Sequence, residues 1–257
     1  MAASCNCHLL LRAVVVLLSF GLVIRGIVTA VPGPSVYYIE SSVRQFFMAP
    51  NLTFQRQTAM RVFTGYNRCE CQDFCFALGS TACQAWSLVK VSGQRDSWEC
   101  RLINVGPETT ELLPDSNASY YFKKSSVSVT YSWKPDKLFY VALSGSYGSL
   151  AAKARCVKIP GHRLIIVKSR ETFYFFSEVS RMNDRPFWVS DLRKISLGEY
   201  KWGDGSNISV TNGSFRIDEP LTSNVFISSS MKLDNSLETR DGPYRGLCQA
   251  NPLGIGW

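Results

Sequence analysis

"RCECQDFCFALG", residues 68–79, places three of the chain's nine cysteines within seven positions. Cys71 and Cys75 stand four apart, so a helix over this stretch carries both on one face. Gly79 suits its C-terminal end, where a left-handed backbone is needed. Three strand-like runs follow. "CQAWSLVKV", 83–91, alternates Ala85, Ser87 and Val89 with Trp86, Leu88 and Lys90, the period of a strand. "SWECRLINV", 97–105, and "ASYYFKK", 118–124, read the same way. Cys83 and Cys100 lie in these runs.

Toward the N-terminus, Arg12 precedes an apolar run from Ala13 to Ile24, and Val28-Thr29-Ala30 offers small residues for cleavage. This layout is that of a secretory signal peptide over 1–30. The run falls short of the roughly 20 residues of a membrane span. No later stretch is long and apolar enough to span, so the expected location is extracellular. That compartment favours disulfides. Cys5 and Cys7 leave with the signal. Seven cysteines then remain: Cys69, Cys71, Cys75, Cys83, Cys100, Cys156 and Cys248. An odd number leaves one thiol free or paired with another chain. Sequons at Asn51, Asn117, Asn207 and Asn212 fit a secreted glycoprotein. Signal removal takes Arg12 and Arg25 and lowers the net charge from +8 to +6. Arg155, Lys158, Arg163, Lys168, Arg170 and Arg181 form the densest basic zone. They alternate with apolar positions, as a solvated face does. Nucleic acid is not an expected partner, whereas attraction to anionic glycans or cell surfaces is compatible with this charge.

Toward the C-terminus, "KKSSVSVTYSWKPDK", 123–137, is polar and Ser-rich and marks a boundary. Beyond it "LFYVAL", 138–143, reads as a strand. "SLAAKARC", 149–156, reads as a helix, with Leu150, Ala151, Ala154 and Val157 at helical spacing. Pro160-Gly161 ends it. "RLIIVK", 163–168, is a buried-strand pattern. "SRETFYFFSEVSRM", 169–182, is a second helix with Phe173, Phe176 and Val179 on one stripe and Ser169 as N-cap. "FWVSDL" and "EYKWGDGS" follow. The polar run 203–224 has little periodicity, which marks a functional loop or a wrong assignment. Trp86, Trp98, Trp188 and Trp202 sit in strand-like runs and read as packing residues. No role follows for Trp257.

Two family resemblances arise from these residues. Cys71-x-x-x-Cys75, "ACQAWSL" with Cys83, "ECRL" with Cys100 and the closing "SYYF" resemble the PAN/apple modules over 50–124. The resemblance implies pairs Cys71–Cys100 and Cys75–Cys83. It leaves Cys69 as the extra cysteine, a free thiol or the link of a disulfide-bonded dimer. The second half resembles the C-type lectin-like domain over 136–250. The matching residues are Ala152, Cys156, Gly161, Leu164, Phe187-Trp188-Val189, Trp202, Asp204-Gly205 and Cys248. It implies a Cys156–Cys248 staple. The family's second common disulfide has no cysteines here, and Glu238 stands about where one would fall.

"RIDEPLTSN", 216–224, matches the outline of the lectins' calcium loop at Glu219 and Pro220. Calcium takes about 6–8 oxygen ligands. The candidates are Glu219, Asp218, Asn224, Asp234 and Asn235. Leu221 stands where the family supplies an oxygen to both calcium and sugar, and leucine has none to give. Glycans on Asn207 and Asn212 would crowd the same loop. The chain is therefore expected to lack the usual calcium-dependent mannose or galactose site and to need no cofactor, calcium being the one ion the loop could hold.

Catalysis finds little footing. His162 is the sole histidine after residue 30, which excludes a zinc site built from several. It lies in a turn, and no Gly-x-Ser-x-Gly elbow accompanies it. Disulfide-bonded cysteines are poor nucleophiles. The expected fold class is α+β, as two disulfide-stabilised extracellular modules. The expected division is signal 1–30, an N-terminal segment 31–49 without firm assignment, a first module 50–124, a linker 125–135, a second module 136–250 and a tail 251–257. The expected function is non-catalytic recognition of carbohydrate or glycoprotein ligands at cell or microbial surfaces, as in innate immunity. The alternative is a matrix or adhesion protein that uses both modules for protein contact.

Overall fold

The computed structural model describes residues 36–40, 44–65, 68–93, 97–127, 130–133, 138–167, 169–183, 186–189, 192–196, 199–202, 204–209, 225–227, 233–235 and 244–251. It is a mixed α+β structure. The expected signal peptide, Asn212, the stretch 216–224 and Trp257 lie outside these residues.

The first half builds one antiparallel sheet. Its strands are Tyr37–Glu40 (β1), Gln45–Phe54 (β2), Arg61–Gly65 (β3), Ala85–Lys90 (β4), Trp98–Ile103 (β5) and Leu112–Lys123 (β6). They lie in the order β1-β2-β6-β4-β5-β3. Two helices, Arg68–Ala77 (α1) and Gly79–Ala82 (α2), join β3 to β4. Gly79 has φ +84°, so the break between them falls where a Cβ would be strained. Cys71 bonds Cys100 and Cys75 bonds Cys83, the two pairs named above. Cys69 is also disulfide-bonded, with a partner outside the described residues. This corrects the expectation of a free or dimer-forming thiol.

Neighbouring residues of a strand face opposite sides of its sheet, and here both sides are buried. Phe46 packs with Trp86, Tyr121 and the four disulfide cysteines under α1. Phe47, next to it, packs with Tyr120 and Phe122 on the other side. The rings of Trp86 and Tyr121 stack at 5.2 Å. Double covering explains why β4 is buried from Ala85 through Leu88 rather than alternating. Lys123 closes the helix side. Its Nζ donates to the carbonyls of Cys75 and Gly79, both at 3.0 Å. It also lies 4.8 Å from the centre of the Phe76 ring.

β2 and β6 change register at one place. Pro50 pairs with Ser119, but Leu52 pairs with Pro114. Asn51 sits in that irregularity with φ 59°, a conformation asparagine tolerates better than most residues.

Thr130–Trp133, inside the segment read as linker, forms β7 and pairs with Leu138–Ala142 (β8). Ser149–Lys158 (α3), His162–Leu164 (β9), Arg170–Asn183 (α4), Phe187–Trp188 (β10), Leu192–Ser196 (β11), Glu199–Trp202 (β12), Asn207–Ser209 (β13), Val225–Ile227 (β14), Leu233–Asn235 (β15) and Arg245–Ala250 (β16) complete the order. The main sheet runs β15-β14-β10-β16-β8-β7, with β9 also on β16, while β11-β12-β13 form a separate small sheet. Only β10 and β16 pair in parallel among the described strands. Ser169 Oγ accepts the Thr172 N–H at 3.1 Å, so it caps α4 as its position suggested. Phe173, Phe176 and Val179 of α4 enter a core with Tyr140, Tyr200 and Trp202.

α3 lies on β16 and β9. Cys156 bonds Cys248 across 92 residues of chain. The buried residues of this helix are Ala152 and Cys156, both small, because β16 approaches closely at Gly246. A Cβ there would come 3.0 Å from that of Ala152. The run of Leu150, Ala151, Ala154 and Val157 is on the outer side instead.

The halves share a core. Tyr38 lies 4.3 Å from Phe139, and Phe47 lies 5.6 Å from Phe139 and 5.8 Å from His162, ring centre to ring centre. The sheet face opposite α1 is therefore covered by β8 and β9 of the second half.

Candidate functional site

The residues nominated for ligand contact surround the segment between β13 and β14. Its root is held by a turn at 204–206. Asp204 Oδ1 accepts the Ser206 N–H at 2.9 Å and the Ser206 hydroxyl at 2.6 Å. The Gly205 N–H donates to Trp202 O, and the Trp202 N–H to Ser206 O, both at 2.8 Å. Gly205 has φ +86°, which is why a glycine follows Asp204. Arg163 Nη1 donates to Asp204 Oδ2 at 3.3 Å, and its Nε to Gln249 Oε1 at 3.4 Å. Gln249 Oε1 also accepts the Ile166 N–H at 3.2 Å. Three elements thus converge on one partly exposed ion pair. Burial outweighs the Asp204 carboxylate and holds the Arg163 guanidinium below its ordinary value. The Asp204 carboxylate is spent on structure in this arrangement.

The far end of the segment enters β14, which lies between β10 and β15. Asp234 and Asn235 are adjacent residues of β15, the outer strand, paired with Phe226 and Val225. Asp218, Glu219 and Asn224 lie outside the described residues. Among the described residues no group of three or more His, Cys, Asp or Glu is placed to hold a metal ion.

His162 lies away from this region, between the two halves. It is 6% exposed. Its Nδ1 donates to the Pro160 carbonyl at 2.9 Å, and Nε2 has no hydrogen-bond partner. Burial pushes its pKa down to about 4, against a smaller upward pull from the Pro160 carbonyl. A neutral ring packed against Phe47 and Phe122 behaves as a core side chain.

Asn51, Asn117 and Asn207 are exposed, so their side chains are accessible to a glycan. Trp86, Trp188 and Trp202 are buried, and Trp98 is half-buried. They are packing residues. Trp188 Nε1 donates to Tyr147 O at 2.6 Å. Among the described residues no helix is long and apolar enough to cross a membrane. The outer face of α3 carries the feature that sequence reasoning overlooked. The signal was there in the charges, because no acidic residue occurs between Asp136 and Glu171. No protein-family model matches the chain, and no curated protein matches it in sequence.

Proposed function

We propose that this chain is a secreted, non-catalytic recognition protein that binds carbohydrate or glycoprotein ligands. In this reading the first half is a PAN/apple-like module and the second a C-type lectin-like domain without the usual calcium-dependent sugar site. The observation that carries it is the order of the disulfide-held helices. α1 is clasped to its sheet by Cys71–Cys100, with Cys75–Cys83 beside it, and α3 is stapled to the closing strand by Cys156–Cys248. In sequence, the long segment after the Trp202 turn falls where the lectin-like pattern has its ligand loop. Exposed sequons at Asn51, Asn117 and Asn207 suit an extracellular route. A glycan array probed with and without EDTA tests the proposal. Binding in both conditions is the expected result, and no binding in either sinks the lectin reading.

Leu221 favours a second reading, in which both halves serve protein contact in matrix or adhesion. A fold does not fix a function. Capture of an extracellular partner that survives enzymatic removal of the partner's glycans would favour this reading over the first.

A further inference from the structure

A helix that only has to pack turns its larger apolar side chains inward. α3 does the reverse. It buries Ala152 and Cys156 and leaves Leu150 70% and Val157 64% exposed. Ala151 and Ala154 are exposed between them. Leu150, Ala154 and Val157 follow the i, i+4, i+7 spacing of one helix face. Two aliphatic knobs about 10 Å apart therefore stand out from a smooth alanine surface.

The surrounding charge has one sign. Arg155 and Lys158 are exposed on the same helix, and Lys153 is half-buried. Arg155 lies 4.5 Å over the Tyr147 ring, which holds its guanidinium at the rim of the face. α3 contains no acid. From Lys137 to Arg170 the chain carries seven basic residues and no acidic one. Of the seven, Arg163 is engaged by Asp204.

We propose that this face of α3 docks on the surface of an anionic phospholipid bilayer, with Leu150 and Val157 entering the acyl boundary and Arg155 and Lys158 meeting the headgroup phosphates. A second copy of the chain is disfavoured, because a two-fold pairing of this face would set its cations against themselves. A protein partner finds too little surface. A ten-residue helix is about 15 Å long, and its outer face offers only a small part of the roughly 800 Å² per side of a stable complex. A bilayer sets no such minimum. A sugar polyanion would use the cations but gain nothing from two exposed aliphatic side chains. An interfacial helix with apolar knobs and a basic flank uses both.

The test is flotation of the full chain with vesicles of phosphatidylserine and phosphatidylcholine, beside vesicles of phosphatidylcholine alone. The expected result is binding to the mixed vesicles and not to the neutral ones. The double variant Leu150→Ser, Val157→Ser keeps every charge and should bind the mixed vesicles at least about tenfold more weakly. Its retention on a heparin column should stay that of the unmodified chain, and an unchanged thermal midpoint shows that it is folded. Arg155→Glu with Lys158→Glu should abolish binding to the mixed vesicles. Three results would overturn the proposal: no binding of the unmodified chain to anionic vesicles, full binding by the serine variant, or equal loss of vesicle and heparin binding by that variant.

Discussion

Lys123 shows how much one buried cation can organise. It lies on β6, yet its ammonium group satisfies carbonyls of Cys75 and Gly79, where α1 gives way to α2. The end of α1 leaves a carbonyl such as that of Cys75 without a helical partner, while Gly79 O also accepts the Cys83 N–H at 3.1 Å. Burial holds the Lys123 pKa below its ordinary value, while both bonds are strongest with the charged form. Lys123→Met removes two charge-assisted bonds and should cost about 2 kcal/mol in urea unfolding; an unchanged midpoint would contradict this role. Local signals such as Gly79 and Ser169 were legible in the sequence, because each acts on its near neighbours. Lys123 was not, since its partners lie 48 and 44 residues away. In the lectin-like reading proposed above, Leu221 is the residue whose chemistry most restricts the candidate ligand loop. Leu221→Asn restores one oxygen donor. If that is the sole deficit, calcium should then raise the thermal midpoint, and a flat titration means that other ligands are missing too.

At the scale of the element, α3 and β16 form a close joint in the second half. Gly246 and Ala152 allow the approach, and Cys156–Cys248 locks it. A bridge closing so long a loop contributes about 4–5 kcal/mol in the chain-entropy account. Replacing both cysteines by serine should lower the unfolding free energy by about that amount, read from denaturant curves. α3 itself was legible from its alanines and its spacing, but its orientation was not. Periodicity finds a face and favours the bulkier residues as core. Here the close approach of β16 reserves the inner side for small residues, so Leu150 and Val157 go out. The short β10 and β14 were less legible still, because a strand of two or three residues has no period to read.

For the whole molecule, the decisive contact is the aromatic seam of Tyr38, Phe47, Phe122, Phe139 and His162. The polar run 123–137 suggested two independent modules, and composition gave no sign that they share a core. The partners are too far apart in sequence for any local pattern to join them. His162 makes the seam sensitive to acid. Its folded pKa of about 4 lies below the ordinary 6.5, so the unfolded chain takes up the proton first. Its contribution is complete above pH 6.5 and is lost as pH falls toward 4, on the order of 3 kcal/mol in all. His162→Gln should be less stable at neutral pH, yet lose less on acidification between those values. An equal loss in both proteins would remove His162 as the cause.

The same seam decides what becomes of the chain once it is cut. A protease site introduced at residues 128–129 would sever the backbone between the halves and spare every described strand. The two fragments should still elute together in gel filtration and separate only in denaturant. If they part in native buffer, the seam is a mere touching of neighbours. Held together, the nicked protein would make sense of the short connection between the halves. It would be dispensable as a tether, and each half would be an unfinished surface without the other.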